Sequence, residues 1–279
     1  MNLIIPNNLK QITDNLDLID GVILSLKGFS VNTLYQVSMD ELDNLFKILK
    51  NKEIFISLNK NIENNELQSL EKILLELNKY PIKGVLYSDT AFVTFKDELN
   101  YDLVWAQEHL TTNYETINYW NSFGVNYTYL SSDITLNEIN SIRDNTNVKL
   151  IANIFGYVPM FTSKRHLVKN YLNTFNIKDN SFINYIKKEG KVYPIIDNDH
   201  TCVFTNNILN AINEYFNMKV DYFVINGFLI ENNDFNKVLK IIHNINKDNV
   251  IESFNKINEL FLNTDSIFLY KETISRVKK

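Results

Sequence analysis

The sequence predicts an α/β protein, a (β/α) TIM-like barrel of mainly parallel strands. Three observations carry that expectation. Short apolar runs alternate with amphipathic helical stretches from Leu3 to Leu262. The runs are almost continuously apolar, as strands buried on both faces require. Their number favours a closed barrel over an open doubly wound sheet, and no glycine-rich phosphate loop supports the open form. A barrel of this kind fills 279 residues as one unit, so a single domain over 1–279 is expected.

The elements follow in order. Leu3–Pro6 is a short strand ending at a Pro-Asn-Asn turn, and Gly21–Leu26 (GVILSL) is a second strand with Lys27-Gly28 at its end. Ser38-Met-Asp-Glu41 has the form of a capping box, opening a helix with Leu42, Leu45, Phe46 and Leu49 at helical spacing. Ile54–Leu58 is a strand ending at Asn59. Leu67, Leu70, Ile73, Leu74 and Leu77 share one face of a helix over Asn65–Tyr80, which Pro81 stops. Gly84–Tyr87 and Leu103–Ala106 are strands, the first ending in Ser88-Asp89 and the second leading into Gln107-Glu108-His109. A helix over Thr112–Phe123 stops at Gly124, and Val125–Leu130 is a strand. Thr135-Leu-Asn-Glu138 caps a helix to Asn145, before a strand at Val148–Ile154. Val192–Ile196 reads as a barrel strand ending in Asp197, Asn206–Phe216 as a helix and Tyr222–Ile225 as a strand ending in Asn226-Gly227. Asp234–Asn244 and Asn249–Leu262 are terminal helices. The irregular connection around 168–190 is expected to be a helical insertion over one end of the barrel, and the basic tail Arg276–Lys279 a frayed end.

Composition narrows the function classes. The formal net charge is −5, which argues against strong non-specific binding to nucleic acid while leaving room for a local basic patch. The single cysteine, Cys202, allows neither a disulfide framework nor a Cys-ligated iron–sulfur cluster within one chain, and its apolar neighbours suit a core thiol. The start, MNLIIPNNLK, lacks the charged and apolar regions of a secretory signal, and no apolar run reaches the roughly 18–20 residues of a membrane span. A soluble cytoplasmic protein is the expectation. The abundant Asn is read as codon bias rather than chemistry.

Sites in parallel barrels lie at the C-terminal ends of the strands. That rule selects a polar rim of Lys27, Asn59, Asp89, Gln107, His109 and Asp133, continued by Arg165, His166, Asp197 and Asn226. Any one of these serves equally well as a loop residue or a cap. His109 is a candidate hydrogen-bond donor or general base. Asp197, Asp199 and His200 form a weak metal pattern with no second ligand set, so no metal is expected. Ser163-Lys164-Arg165-His166 with Lys169 is the basic cluster in a functional position. It reads either as an anion clamp, since Arg matches carboxylate and phosphate with a planar fork, or as a charged helix start. Tyr157, Phe161 and Tyr171 interleave it, spaced for stacking a base or for a helical core.

Four stretches resemble the U32 family of collagenase-like peptidases, and within it the short members of Gram-positive bacteria and their wall-less relatives. They are GVILSLKGFSVN (Gly21–Asn32), YTYLSSDITLNEI (Tyr127–Ile139), FGYVPMFTSKRH (Phe155–His166) and VDYFVINGF (Val220–Phe228). Pro159 and His166 stand where many relatives carry cysteines, and Asn226 where many carry Glu. The resemblance therefore implies a chain without the family's iron–sulfur cluster. It implies formation of 5-hydroxyuridine at the tRNA wobble position, with prephenate as hydroxyl source and a longer paralogue as partner. Arg165, Lys164 and His166 would clamp an anion, and His109, Asp197 and Asn226 would line the barrel mouth, with Lys27, Asn59 and Asp89 beside them. The family label implies a hydrolase as the alternative, although no nucleophile–base pair, paired carboxylates or zinc motif is legible. A non-catalytic barrel subunit is the third reading.

Overall fold

A computed structural model of the chain describes residues 1–107, 109–179 and 181–271. The C-terminal Arg276–Lys279, expected to fray, lies outside the described residues.

The first strands are β1 (Asn2–Ile5) and β2 (Gly21–Leu26), with the two-residue β3 (Gln36–Val37) beside β2. Then come β4 (Glu53–Leu58), β5 (Gly84–Tyr87), β6 (Asp102–Trp105), β7 (Tyr127–Tyr129) and β8 (Lys149–Gly156). The crossovers carry α1 (Leu9–Thr13), α2 (Met39–Ile48), α3 (Leu67–Leu77), α4 (Tyr114–Ser122) and α5 (Leu136–Asp144), and the β5–β6 crossover is the 3-10 helix Thr90–Glu98. The expected capping boxes form: Glu41 accepts the Ser38 N–H at 2.7 Å, and Glu138 accepts the Thr135 N–H at 2.6 Å.

After β8 the chain leaves the barrel. It builds β9 (Pro159–Ser163), α6 (Leu167–Thr174), β10 (Ile183–Lys188), β11 (Lys191–Asp197) and β12 (Thr201–Phe204). The strands form a separate antiparallel sheet in the order β10-β11-β12-β9. β13 (Ile208–Asn210) then pairs antiparallel with the end of β8, and β14 (Tyr222–Asn226) returns to the barrel. β14 lies parallel to both β8 and β1, which closes a ring of eight parallel strands, β14-β1-β2-β4-β5-β6-β7-β8. Helices α7 (Asn232–His243) and α8 (Val250–Leu260) cover the closure, and β15 (Thr264–Asp265) pairs with β13.

Three expectations change. Val192–Ile196 is not a barrel strand, because β11 pairs with β10 and β12. Asp197 therefore stands at the end of a strand outside the barrel. The segment around 168–190 is not purely helical: α6 is followed by β10, which turns into β11 through Glu189 (φ 51°) and Gly190 (φ 77°), a turn with positive φ at both central residues. Asn206–Phe216 has helical apolar spacing, yet Leu209 and Asn210 pair with Gly156 and Phe155, leaving one 3-10 turn at Ile212–Glu214. There the strand edge of β8 offered hydrogen bonds that outweighed local propensity.

The barrel interior is filled by side chains from alternate strand positions, including Leu3, Ile23, Phe55, Tyr127 and Tyr222. Phe55 meets Tyr222 edge-on at 5.6 Å and Tyr127 at 6.1 Å, closing the N-terminal half of the barrel. A larger core lies between the strands and the outer helices. A third packs the antiparallel sheet onto the barrel, where Phe204 stacks on Phe228 at 3.8 Å around the buried Cys202. Among the described residues no helix is long and apolar enough to cross a membrane.

Closure is pinned by Asp221, just before β14. Its carboxylate accepts the Leu150 N–H at 2.9 Å and pairs with Lys149 at 3.0 Å and with Arg143. Burial by itself would raise its pKa, but the Leu150 N–H, Lys149 and Arg143 outweigh it and hold the carboxyl below its ordinary value. A depressed folded-state pKa stabilises above the unfolded value and is lost as pH falls through the folded one. Asp221→Asn should therefore cost about 1–3 kcal/mol in urea denaturation at neutral pH. The gap between variant and wild type should shrink as pH is taken below about 4.

Candidate functional site

Seen from the C-terminal ends of the strands, the barrel interior becomes mixed, with polar side chains set among Ile5, Ile23, Leu86 and Val158. The last inward positions are Ser25, Ser57, Ala106, Tyr129, Asn153 and Asn226, and they line a cavity of about 90 Å³. An adjoining groove of about 290 Å³ shares Val31, Asn32, Asn59, Ala106 and His109 with it and runs out to Phe161, Thr162, Lys164 and His200. The antiparallel sheet thus forms one wall of the barrel mouth through β9.

The mouth is built from wired amides and hydroxyls. Asn59 follows β4, and its Oδ1 accepts the Val31 N–H at 2.9 Å, holding the loop after β2 over the barrel. Tyr129 donates to Asn153 Oδ1 at 2.7 Å, and Asn153 Nδ2 donates to Ser132 Oγ at 2.9 Å. The pairing of β8 with β14 shifts register after Asn153, so a bulge sits beside this residue, as bulges often do where a side chain must be aimed. Asn226 is buried at the end of β14; its Nδ2 donates to the Tyr157 carbonyl at 3.0 Å and its Oδ1 accepts the Phe228 N–H at 3.0 Å. Gly156, at φ 116°, lets β8 pass against Asn226, because a Cβ there would overlap the Asn226 carbonyl. An amide carries two donor hydrogens and two acceptor lone pairs, so Asn59, Asn153 and Asn226 each keep hydrogen-bonding capacity after these contacts.

At the rim, His109 Nδ1 lies 3.2 Å from Asp133 Oδ2, and both line the cavity. Gln107 lines the groove and accepts the His109 N–H at 3.3 Å. The groove's lysines are internally balanced: Lys60 pairs with Glu66, and Lys164 reaches Glu63 at 2.6 Å. His200 lines the same groove with its Nδ1 buried and without a hydrogen-bond partner among the described residues. Burial first, then Lys60 and Lys164, push its pKa below the ordinary value and favour the neutral ring.

The residues expected from the sequence divide into two groups. The structure brings Asn59, His109, Asp133, Lys164 and Asn226 together at the mouth and groove. Lys27 is exposed after β2 and lines neither space, and Asp89 is used as a cap, accepting the Ile62 and Ala91 N–H groups. Asp197 does not line the mouth either. Its carboxylate accepts Thr201 Oγ1 at 2.7 Å and the Lys169 N–H at 2.9 Å, and meets His166 Nδ1 at 3.2 Å, which fastens α6 to the β11–β12 hairpin. Arg165 is exposed before α6, and its guanidinium has no partner among the described residues. The basic cluster therefore does not act as one clamp: Lys164 faces the groove and Arg165 and His166 do not line it. Sequence reasoning missed Ser25, Ser57, Tyr129 and Asn153, and it weighed His200 only as part of a metal pattern. The first four sit inside apolar runs, and their period-2 position facing the barrel axis was the signal available.

Among the described residues no group of three or more His, Cys, Asp and Glu is placed to hold a metal ion. The model for peptidase family U32 matches residues 8–265. A curated relative from Bacillus subtilis (strain 168), named tRNA hydroxylation protein P2, is 24% identical over 249 residues, covering 80% of this chain and 81% of that protein. A solved U32 peptidase, 13% identical, superposes with a TM-score of 0.53 over 81% of this chain and 91% of its own, a likeness of fold.

Replacing Asn226 with Ala would leave the Phe228 N–H and the Tyr157 carbonyl without their partner. The expected loss is about 2 kcal/mol or more in chemical denaturation. Asn226→Asp keeps the acceptor for Phe228 but turns a buried oxygen toward the Tyr157 carbonyl, so it should destabilise as well, and more with the carboxyl ionised than protonated.

Proposed function

This chain belongs to peptidase family U32, and from that premise we propose that it acts in tRNA hydroxylation, with the barrel mouth as the place where a uridine base is held. The observation that carries this reading is the likeness, along most of both chains, to a protein named for tRNA hydroxylation. The mouth's chemistry agrees with it. The pairing edge of uracil alternates acceptor, donor and acceptor, and side-chain amides such as Asn59, Asn153 and Asn226 offer both functions. The Tyr129–Asn153–Ser132 chain orients one amide in advance, so little ordering is left for binding to accomplish. His109, held by Asp133 at the rim, stands where a proton can be given or taken beside a bound base. The reading includes a longer U32 paralogue as partner and prephenate as hydroxyl source, both carried over from the family resemblance. Among the described residues that line the mouth none is a Lys or Arg, and Lys60 and Lys164 line the adjoining groove.

The test is mass spectrometry of tRNA nucleosides from a strain lacking the gene, complemented with wild type, Asn153→Ala or Tyr129→Phe. Deletion should abolish the 5-hydroxyuridine derivatives. Asn153→Ala should restore them at least about tenfold less well than wild type at equal protein level, and Tyr129→Phe should fall between. Unchanged nucleosides in the deletion strain would reject the reading, and gelatin cleavage by the purified protein would then favour the hydrolase.

A further inference from the structure

The antiparallel sheet and α6 carry a surface that the mouth does not explain. Between 160 and 192 there are seven Lys and Arg against two Asp and Glu, leaving 21 against 31 in the rest of the chain. The molecule is thus polar in charge, with one basic lobe on an acidic barrel. Arg165, Lys169, Lys178, Lys187, Lys188 and Lys191 are all exposed, and none makes an ion pair among the described residues. The same lobe exposes five aromatic rings: Phe161, Tyr171, Phe175, Phe182 and Tyr185, each 47–61% accessible. Tyr171, in the last turn of α6, and Phe175, which caps the helix, pack together at 4.7 Å and still face water. Between α6 and the start of β10 runs a groove of about 630 Å³, lined by Lys169, Lys178, Leu172, Ile177 and Phe182 and also by Asp179 and Asp197, the latter already bonded to Thr201, the Lys169 N–H and His166.

Unpaired cations and exposed rings gathered in one lobe, on both faces of the β10–β11 hairpin and on the α6 segment beside a groove, match a specific class of ligand. Protein–protein interfaces are depleted in Lys, whereas proteins that hold single-stranded nucleic acid combine a cationic groove with exposed aromatic platforms. The rings select single strands over duplex, because a paired and stacked base has no free face to offer. We propose that the lobe formed by α6 and the β10–β11 hairpin docks a single-stranded RNA segment. Bases stack on Tyr171, Phe175 and Phe182, and phosphates lie against Lys169, Lys178 and the hairpin lysines. This deepens the proposed function and rests on it for one point, that the RNA is the loop of a tRNA. The sheet also connects the lobe to the site: β9, at its other edge, supplies Phe161 and Thr162 to the groove beside the barrel mouth, and Lys164 follows directly after it. An RNA strand held on the lobe is led along the sheet to the mouth.

The experiment measures binding directly. A fluorescein-labelled 15-nucleotide uridine-rich RNA and an unmodified tRNA transcript are titrated with the full chain by anisotropy at several salt concentrations. K187E/K188E/K191E changes three exposed hairpin residues, and Y171A/F175A removes the exposed ring pair; an unchanged Tm confirms that both fold. The charge variant should bind at least about tenfold more weakly, with a salt slope shallower by about 2. The ring variant should bind about 5- to 100-fold more weakly, with its salt slope kept. K237E/K256E, on the outer helices, should bind as wild type does. Wild-type affinity in both lobe variants, or no RNA binding by the wild type, overturns the inference. So does loss of complex with the longer paralogue while RNA affinity is unchanged, which would make the lobe a protein interface. RNA binding that depends on the lobe, in a chain whose deletion leaves tRNA nucleosides unchanged, would sink the hydroxylation reading and keep this one.

Discussion

The structure depends on the return of β14 to the gap between β8 and β1. The backbone N–H and C=O groups of a barrel strand point to both of its sides and need a neighbouring strand on each, and only closure provides both. β14 supplies partners to Asn2–Ile5 on one side and to Ile151–Phe155 on the other. Asp221 holds the start of the returning strand through the Leu150 N–H, and Asn226 holds its end through Tyr157 and Phe228. The first of these contacts is a charged clamp at the floor of the barrel, and the second is a neutral one at its mouth. Because the closing strand ends in a mouth residue, stability and site geometry share the same hydrogen bonds.

Between β8 and β14 the chain was free to build something else, provided that it came back. It built a second sheet whose buried face packs on the barrel through Phe204, Phe228 and Cys202. Where that packing stops, the β10–β11 hairpin runs on into solvent with both faces exposed, and its strands hold together through their own ladder and a turn with positive φ at Glu189 and Gly190. A two-stranded ribbon without a core beneath it is marginal unless anchored at its base. The anchor is Asp197, buried under α6 with its oxygens taken up by Thr201, Lys169 and His166. Residues first singled out as candidates for chemistry thus position the basic lobe.

The mouth and the lobe use different physics. The mouth is nearly neutral, and its amides and hydroxyls are held by partners within the fold, which suits discrimination among hydrogen-bonding patterns. The lobe carries unpaired charge and exposed rings, which suits attraction that is tolerant of sequence. An acidic barrel with one basic lobe also orients an approaching polyanion, since the barrel repels what the lobe attracts.

How much of this was legible in the sequence follows from which interactions are local. The strands Gly21–Leu26 and Gly84–Tyr87 and the caps at Ser38 and Thr135 depend on neighbours within a few residues, and the structure keeps them, whereas the helix expected to run to Tyr80 before Pro81 ends at Leu77. The rim rule located Asn59, His109 and Asn226, because a strand's end shows in the same apolar run that marks the strand. Val192–Ile196 could not be placed in this way: five apolar residues look alike in a parallel barrel and in an antiparallel hairpin, and only the partner strand distinguishes them. For the same reason Asp197 was assigned to the mouth, and Leu209–Asn210 to a helix rather than to the edge of β8. Tyr129 and Asn153 became site residues only when curvature turned alternate positions of two strands toward one axis. The sequence alone determined the barrel's class, its capped helices and its one basic segment, because propensity, periodicity and charge are carried by the chain itself. Tertiary structure decided which strands are neighbours and which polar side chains meet, because pairing over distances such as Ile5 to Asn226 is settled by closure and burial, not by anything either segment encodes alone.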